Sequence, residues 1–179
     1  MQIQKSQIRE FVESIVIAGV LAFFIITFVI QSFVVEGHSM DPTLADGERL
    51  FVNKFVYRFQ EPKRGDVIVF TPQGEPRKKY IKRVIGLPGD LVDVAIDGVY
   101  VNKQLIKEDY VQEIAKKYLG SFEVPEEHVF VLGDNRNHSS DSRMQKVGYV
   151  SYKSISGKAF WVYWPLNKIR ILKNPSYDL

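Results

Sequence analysis

The stretch LVDVAIDGVYV, residues 91–101, indicates the class of the fold. Two runs rich in β-forming residues, 91–96 and 99–101, flank Asp97-Gly98. This dipeptide is a strong signal for a two-residue turn between antiparallel strands. The stretch therefore predicts a β-hairpin in the middle of the chain.

Similar short runs lie on both sides of this hairpin, separated by turns that contain Gly, Pro, Asp or Asn. The further predicted strands are 67–70, 80–85, 104–106, 128–132 and 157–164. Helical periodicity is weak in this part of the chain, with a trace of it at residues 109–119. Many short strands at close spacing predict a mainly β, antiparallel domain of the folded-sheet or barrel-like type.

Composition sets limits on the function. The 179 residues are 25% charged and 45% hydrophobic, which suits one globular domain with a short appendage. A net charge of +3 gives no strong basic field, so a nucleic-acid partner is not expected. The basic triplet at 77–79 is interpreted as a solvated loop. The absence of cysteine excludes thiol catalysis, cysteine zinc sites and disulfides.

The appendage is an apolar run near the N-terminus. Residues 14–30 carry no charge, and extending the run to 11–35 adds only Glu13. A bilayer-spanning helix needs about 20 apolar residues. A cleavable signal peptide has a shorter apolar stretch and a small-x-small site, which residues 31–35 do not offer. A core helix would carry an amphipathic stripe, and this run has none.

We therefore expect a retained transmembrane anchor at residues 11–32. It would separate a short cytoplasmic N-terminus at residues 1–10 from an extracytoplasmic β-rich domain at residues 33–179. Lys5 and Arg9 precede the run, and positive charge favours the cytoplasmic side.

Ser39 lies just beyond this run, in EGHSMDPTL, residues 36–44. Gly37 permits backbone conformations that other residues resist, and Pro42 stiffens the segment that follows. A hydroxyl on such a turn can be presented to a substrate, with nearby N–H groups available for an oxyanion. On local sequence alone, an ordinary turn serine is the commoner interpretation.

A nucleophilic serine needs a base, and the sequence offers two kinds. His138 lies near Asp134 and Asp141, so a Ser-His-Asp arrangement is one hypothesis. Lys82 is the other, because a strand at 80–85 places it among apolar neighbours. Burial there would lower the lysine pKa from about 10.4 and favour the neutral amine that can accept a proton. The alternative is a surface lysine on an edge strand.

The polar segment GDNRNHSSDSR, residues 133–143, could also suggest a calcium loop. An EF-hand pattern counted from Asp134 fails, because its third, fifth and sixth positions are Arg136, His138 and Ser139. The segment is therefore predicted to be an ordered polar loop without a metal.

Four segments taken together resemble the type I signal peptidases, the membrane-bound Ser-Lys leader peptidases. They are GHSMDPTL at 37–44, RGDVIVF at 64–70, YIKRVIGLPGD at 80–90 and GDNRNHSSDSR at 133–143. The resemblance covers nearly the whole chain, and four segments in this order and spacing are specific. With one apolar run and no large insertion, the chain is most similar to the compact, single-anchor members of the Gram-positive type.

The resemblance implies a role for individual residues. Ser39 matches the nucleophile, Lys82 the general base and Ser139 a hydroxyl that orients the lysine. Some members place a second oxyanion donor where this chain has Gly37. The remaining supporting positions are Arg83 next to the base and the charged scaffold Asp134, Asp141 and Arg143. Under this resemblance His138 becomes a loop residue without a catalytic role.

The function implied is that of a serine endopeptidase that removes N-terminal signal peptides from exported preproteins. It would cleave after a small-x-small site at the outer surface of the plasma membrane, without a metal or organic cofactor. Its expected partners are preproteins, the lipid bilayer and the secretion translocon. The self-cleaving repressor family shares the Ser-Lys pair, but it carries a DNA-binding motif instead of an apolar run. A non-catalytic, membrane-anchored β module for binding or assembly is the alternative, and it has no use for a buried lysine beside a serine.

Overall fold

The N-terminal segment is helical in the computed structural model, which describes residues 2–116 and 120–177. Helix α1 spans Gln2–Phe24, and one π-helical turn, Ile25–Val29, continues it. The side chains that the structure describes along α1 are exposed, including Phe11 and Ile15. Among the described residues, no helix combines the length and the apolar character that crossing a membrane requires.

The helical segment ends at Val29, three residues before the predicted end of the anchor at residue 32. Ile30–Val34 forms the first strand, β1, and pairs antiparallel with β2, Arg49–Asn53. Lys54 reinforces this junction, because its N–H donates to the Val29 carbonyl and its Nζ to the Thr27 carbonyl, both at 2.9 Å. The helix thus ends where the chain pairs with β2, a strand that is distant in sequence. The apolar run alone cannot indicate such an end.

Ten further strands complete the fold of the described residues. They are β3 Val67–Phe70, β4 Tyr80–Gly86, β5 Leu91–Ala95, β6 Gly98–Val101, β7 Gln104–Leu105, β8 Gly120–Glu123, β9 His128–Leu132, β10 Val150–Ser151, β11 Ile155–Trp164 and β12 Arg170–Ile171. Eight strands form one sheet in the order β1-β2-β11-β3-β4-β9-β10, with β12 added to β11. Every neighbouring pair is antiparallel, so the predicted mainly β, antiparallel class is confirmed.

The smaller sheet has four strands in the order β7-β6-β5-β8. Its hairpin is the one predicted from residues 91–101, but Ala95 pairs with Gly98, so the two loop residues are Ile96 and Asp97. The predicted turn lay one residue further along the chain. Residues 109–116 form turns and bends instead of a helix, and residues 117–119 lie outside the described part.

The buried apolar side chains of the described residues form three clusters. Strand β3 is buried on both faces, with Ile68 and Phe70 in one cluster and Val67 and Val69 in another. The third cluster joins the small sheet to β4 and β9. β4 lies between β3 and β9, and its polar side chains Lys82 and Arg83 are buried.

Candidate active site

The segment that carries Ser39 is a loop. A backbone hydrogen bond closes it, and buried side chains hold it against the core. The Val35 N–H donates to the Glu48 carbonyl at 2.8 Å and closes the loop. Met40 and Leu44 are fully buried in the cluster beneath β2 and β3. Gly37 has φ +85°, and its N–H donates to Asp46 Oδ1 at 2.6 Å. The buried residues after Ser39 and the fixed turn before it hold its hydroxyl toward a cleft.

Lys82 on β4 reaches this hydroxyl. Its Nζ donates to Ser39 Oγ at 2.7 Å and to the Ile81 carbonyl at 2.8 Å. The side chain is buried, with 4% of the residue exposed. The face of the Tyr80 ring lies 5.4 Å from Nζ. The structure thus brings together the two residues that the sequence singled out 43 positions apart.

The surroundings of Lys82 alter its protonation. Burial lowers the pKa of this amine from 10.5 to about 8, against the opposing effect of Asp141 and Asp134. With such a pKa, roughly a tenth of the side chains are neutral at pH 7, against far below one in a thousand at the ordinary value. A proton acceptor therefore exists beside the serine hydroxyl near neutral pH.

The loop after β9 packs directly on the serine backbone. The Asn135 N–H donates to the Ser39 carbonyl at 3.1 Å, and Asn135 Nδ2 donates to the His38 carbonyl at 3.0 Å. At Gly133 a Cβ atom would overlap both Ser139 Oγ and the Ser39 carbonyl oxygen. Glycine at this position is therefore what allows the loop to bring Ser139 against Ser39.

Ser139 has the one serine hydroxyl in the described residues that is buried and lacks a hydrogen-bond partner. The resemblance implied a hydrogen bond from this hydroxyl to the lysine, and the structure does not form it. Ser139 Oγ nevertheless lies beside the Ser39 backbone, as the packing at Gly133 shows. A buried polar group without a partner is unfavourable, so this hydroxyl is available for a group that enters or moves during catalysis.

Arg83, the residue after the lysine, joins the segments of the site. Its Nε donates to Asp134 Oδ1 at 2.9 Å and its Nη2 to Asp134 Oδ2 at 2.7 Å, in a pair almost without solvent exposure. Further donors reach the Gly65 carbonyl at 3.0 Å and Thr43 Oγ1 at 3.3 Å. One guanidinium therefore ties β4 to the serine loop and to the loop after β9.

Asp141 and Arg143 hold the loop after β9 from within. Asp141 Oδ2 accepts the Gly133 N–H at 3.0 Å, and Arg143 donates to both Asp141 oxygens at 2.7 and 2.8 Å. Arg143 also donates to the Arg136 carbonyl at 2.7 Å. These contacts tie the two ends of the loop after β9 together.

The histidines do not form the alternative arrangement. His138 Nδ1 contacts Asn135 Oδ1 at 3.3 Å, and His38 Nδ1 contacts Asp41 Oδ2 at 3.0 Å. Neither side chain is hydrogen-bonded to Ser39, so no Ser-His-Asp constellation exists in the described part of the chain. In that same part, no group of three or more acidic, histidine or cysteine side chains could hold a metal ion.

A cleft of about 840 Å³ opens over the Ser39–Lys82 pair. One wall consists of residues 31–39, and the other of residues 77–82, with His138 and Ser140 at the rim. Within these walls, β1 and the start of β4 are extended chain. Since β1 is the outermost strand of the large sheet, one of its edges is not paired within that sheet.

Sequence reasoning missed several residues that shape the site. Gly133, Asn135 and Arg136 lie inside a quoted motif, but the residues alone did not indicate which backbone they contact. Glu108 lies outside every motif, yet it pairs with Arg136 at 2.5 Å. No local pattern could have found this pair, because the two residues are 28 positions apart and meet only in the fold.

Comparisons with known proteins agree on one family. A family model described as "Signal peptidase, peptidase S26" matches residues 8–164. The "Signal peptidase I" of Bacillus licheniformis is 43% identical over 177 residues, covering 93% of this chain and 94% of that protein. The "Signal peptidase I" of Leptolyngbya laminosa is 41% identical over 177 residues, covering 95% and 86%. A crystal structure of a signal peptidase I from Enterococcus faecalis V583 is 34% identical and covers 55% of this chain and 97% of that chain, with a TM-score of 0.47.

Proposed function

The chain belongs to the signal peptidase family, peptidase S26, and we propose that Ser39 and Lys82 form its catalytic dyad. As a member of this family it is a serine peptidase, and the bond it hydrolyses joins a signal peptide to an exported protein. The single observation that carries the proposal is the 2.7 Å contact between Lys82 Nζ and Ser39 Oγ within a buried site.

The proposed reaction proceeds in two halves. Neutral Lys82 accepts the hydroxyl proton while Ser39 Oγ attacks the scissile carbonyl, and the Ser39 N–H stabilises the oxyanion. The protonated lysine then donates its proton to the leaving amine, which completes the acyl-enzyme. Water activated by the same lysine releases the acyl group and restores the serine. Ser139, whose hydroxyl has no partner in the structure, would orient the lysine amine once it moves to contact Nζ.

The cleft suggests how a substrate binds. An extended peptide between residues 31–39 and 77–82 could pair with backbone groups, as peptides do at sheet edges. Alternate side chains of an extended chain point to the same side. In a small-x-small sequence, both small residues would then face the protein while the middle residue faces away. Cleavage after such a site is therefore our proposed specificity.

We also propose that the N-terminal segment anchors the protein in the plasma membrane. The support is the uncharged run at residues 14–30, with Lys5 and Arg9 before it. From Ile30 to Ser39 a fully extended chain reaches at most about 30 Å. The nucleophile would thus stay near the outer membrane surface, where a translocon delivers signal peptides. Resistance of the full chain to alkaline extraction from membranes, lost when Ile17 and Leu21 are changed to lysine, tests this placement.

Preprotein cleavage in detergent tests the dyad. We expect the wild type to cleave after a small-x-small site, and both Ser39→Ala and Lys82→Met to lose cleavage. His138→Ala is the matched control in the same cleft and should retain it. Activity that survives Lys82→Met but not His138→Ala would assign the role of general base to His138 instead of Lys82. A wild type that cleaves no preprotein would favour a non-catalytic binding module.

A further inference from the structure

A second group of buried polar contacts lies behind the site and reaches it through Arg136. Arg136 Nε donates to the Gly133 carbonyl at 3.1 Å. Gly133 is the residue packed against both the Ser39 carbonyl and Ser139 Oγ. The position of the Arg136 guanidinium therefore fixes one side of the turn that carries Ser139.

Glu108 fixes that guanidinium. Arg136 Nη1 and Nη2 donate to the two carboxylate oxygens of Glu108 at 2.6 and 2.5 Å. The side chains are almost fully buried, with 1% of Arg136 and 8% of Glu108 exposed. A bidentate pair of this kind restricts both distance and direction, more than a single contact does.

Two tyrosines connect Glu108 to the rest of the network. Tyr110 Oη donates to Glu108 Oε1 at 2.6 Å and lies 2.7 Å from Tyr177 Oη. Burial raises the pKa of Tyr110, so its hydroxyl remains a donor. The Tyr110 ring also lies under the Arg83 guanidinium, 4.1 Å from its centre. Tyr110 thus contacts Arg83 directly and is connected to Arg136 through Glu108.

The chain near its C-terminal end covers this network. Pro175 and Tyr177 pack on Gly65, whose carbonyl accepts a hydrogen bond from Arg83. Asn174 Nδ2 donates to Asp66 Oδ1 at 2.6 Å and fixes the segment. Segments around residues 108, 136 and 175 therefore meet behind the site.

We propose that Glu108, with Tyr110, is a positioning residue for the reaction: through Arg136 it holds the Gly133 turn, against which Ser139 and the Ser39 backbone pack. This inference rests on the proposed Ser-Lys function. Neither residue touches the reacting atoms. Their effect is on the geometry of the site, so they act on turnover more than on substrate binding.

Glu108→Gln in the full chain in detergent tests the proposal. The change keeps the shape and leaves Arg136 without its anion. We expect kcat to fall at least about tenfold while KM changes less than about twofold, because a small misplacement of catalytic groups reduces turnover strongly. Backbone amide exchange at Gly133 and Asn135 should become faster. The Asn135 amide reports the contact to Ser39 directly and does not depend on activity.

Asp90→Asn is the matched control. Asp90 pairs with Arg64 at 2.9 Å, in another largely buried ion pair. The Asp90→Asn variant should lose a comparable amount of thermal stability but retain kcat. Amide exchange at Gly133 and Asn135 should stay slow in it. Equal losses of kcat in the two variants would overturn the proposal, as would an unchanged kcat in Glu108→Gln.

Tyr110→Phe provides the test if Glu108→Gln does not fold. It keeps the ring over Arg83 and removes only the hydroxyl contacts. We expect a smaller fall in kcat and faster exchange at Asn135, whereas Tyr100→Phe, which loses a surface contact to Asp97, should show neither. If the wild type itself does not cleave preproteins, the proposed function fails, and unchanged exchange at Asn135 would separately overturn the positioning role.

Discussion

The burial of Lys82 has two opposite effects, one on the reactivity of its amine and one on folding. An amine in the middle of a sheet loses hydration, and this loss disfavours its charged form. Nζ donates to a serine hydroxyl and a backbone carbonyl and faces the Tyr80 ring, and none of the described residues forms an ion pair with it. The environment that makes the neutral amine available for catalysis is therefore also unfavourable for folding.

The pKa of Lys82 predicts the pH dependence of cleavage. Because the amine must be neutral and its pKa is about 8, kcat/KM should rise about tenfold per pH unit below 8 and level off above it. A series of initial rates from pH 6 to 10 measures this. His138→Ala should follow the same curve. A profile centred near 6.5, abolished by that variant, would instead indicate a histidine base.

The same shift predicts an effect on stability. The folded pKa lies below the ordinary value of 10.5, so the unfolded chain binds more protons. The resulting destabilisation is fully present below about pH 8 and is relieved as the pH rises toward 10.5. At pH 7 it amounts to at most about 3 kcal/mol, from about 1.4 kcal/mol per pKa unit. Lys82→Met should therefore be inactive yet more stable in urea at pH 7, and the difference from wild type should shrink at pH 10. A less stable variant would contradict this.

The environment of Lys82 in the proposed dyad was largely predictable from the sequence. The run that contains Lys82 indicated a strand and hence partial burial, and the structure shows both. The pairing with Ser39 was not derivable from either segment, because it depends on where the loop after β1 returns. The pairing was predicted instead from the resemblance of four ordered motifs to the signal peptidase family. Glu108 had no such motif, and its position emerges only from long-range packing.

At the scale of elements, Arg83 and Asp134 connect β4 to the loop after β9. A buried ion pair contributes little net stability compared with apolar residues, but losing one partner leaves an uncompensated charge. The placement of this pair next to the dyad indicates that its contribution is mainly to fix the relative position of two elements.

Asp134→Asn should consequently cost about 3–5 kcal/mol of unfolding free energy, because Arg83 keeps its buried charge. The double change Arg83→Met, Asp134→Leu should recover part of that loss, although cleavage stays low. Urea unfolding of the wild type, Arg83→Met, Asp134→Leu and the double variant measures the coupling. Asp109→Asn, which removes an exposed pair with Lys107, serves as control and should change stability by less than about 1 kcal/mol. Additive losses in the cycle would contradict a coupled pair.

The strands differ in how far the sequence predicts them. β3 and β9 match their predicted bounds because β-rich runs end at clear turn residues. β1 was hidden in the apolar run, and β10 and β12 have only two residues each. These strands form because a neighbouring strand is present to pair with them. The order of strands likewise depends on pairing between distant residues, which local patterns do not encode.

At the scale of the whole molecule, the helix and the β domain are energetically separate. Among the described residues, none before Val35 is buried, so α1 contributes no side chain to the three clusters. β1 is different, because it covers the edge of β2 and its Phe33 packs on a cluster. The boundary of the stable unit therefore falls at the start of β1.

A variant that begins at Ile30 should melt within about 2 °C of the full chain, because no core contact is lost. One that begins at Glu36 should melt at least about 4 °C lower, since an edge strand with its hydrogen bonds is removed and each kcal/mol shifts Tm by several degrees. Thermal unfolding of both in the same detergent measures the difference. The Ile30 variant should also cleave a short small-x-small peptide at the wild-type rate, while the Glu36 variant loses one wall of the cleft and with it the activity. Equal melting temperatures for the two variants would show that β1 belongs energetically to the helix and not to the domain.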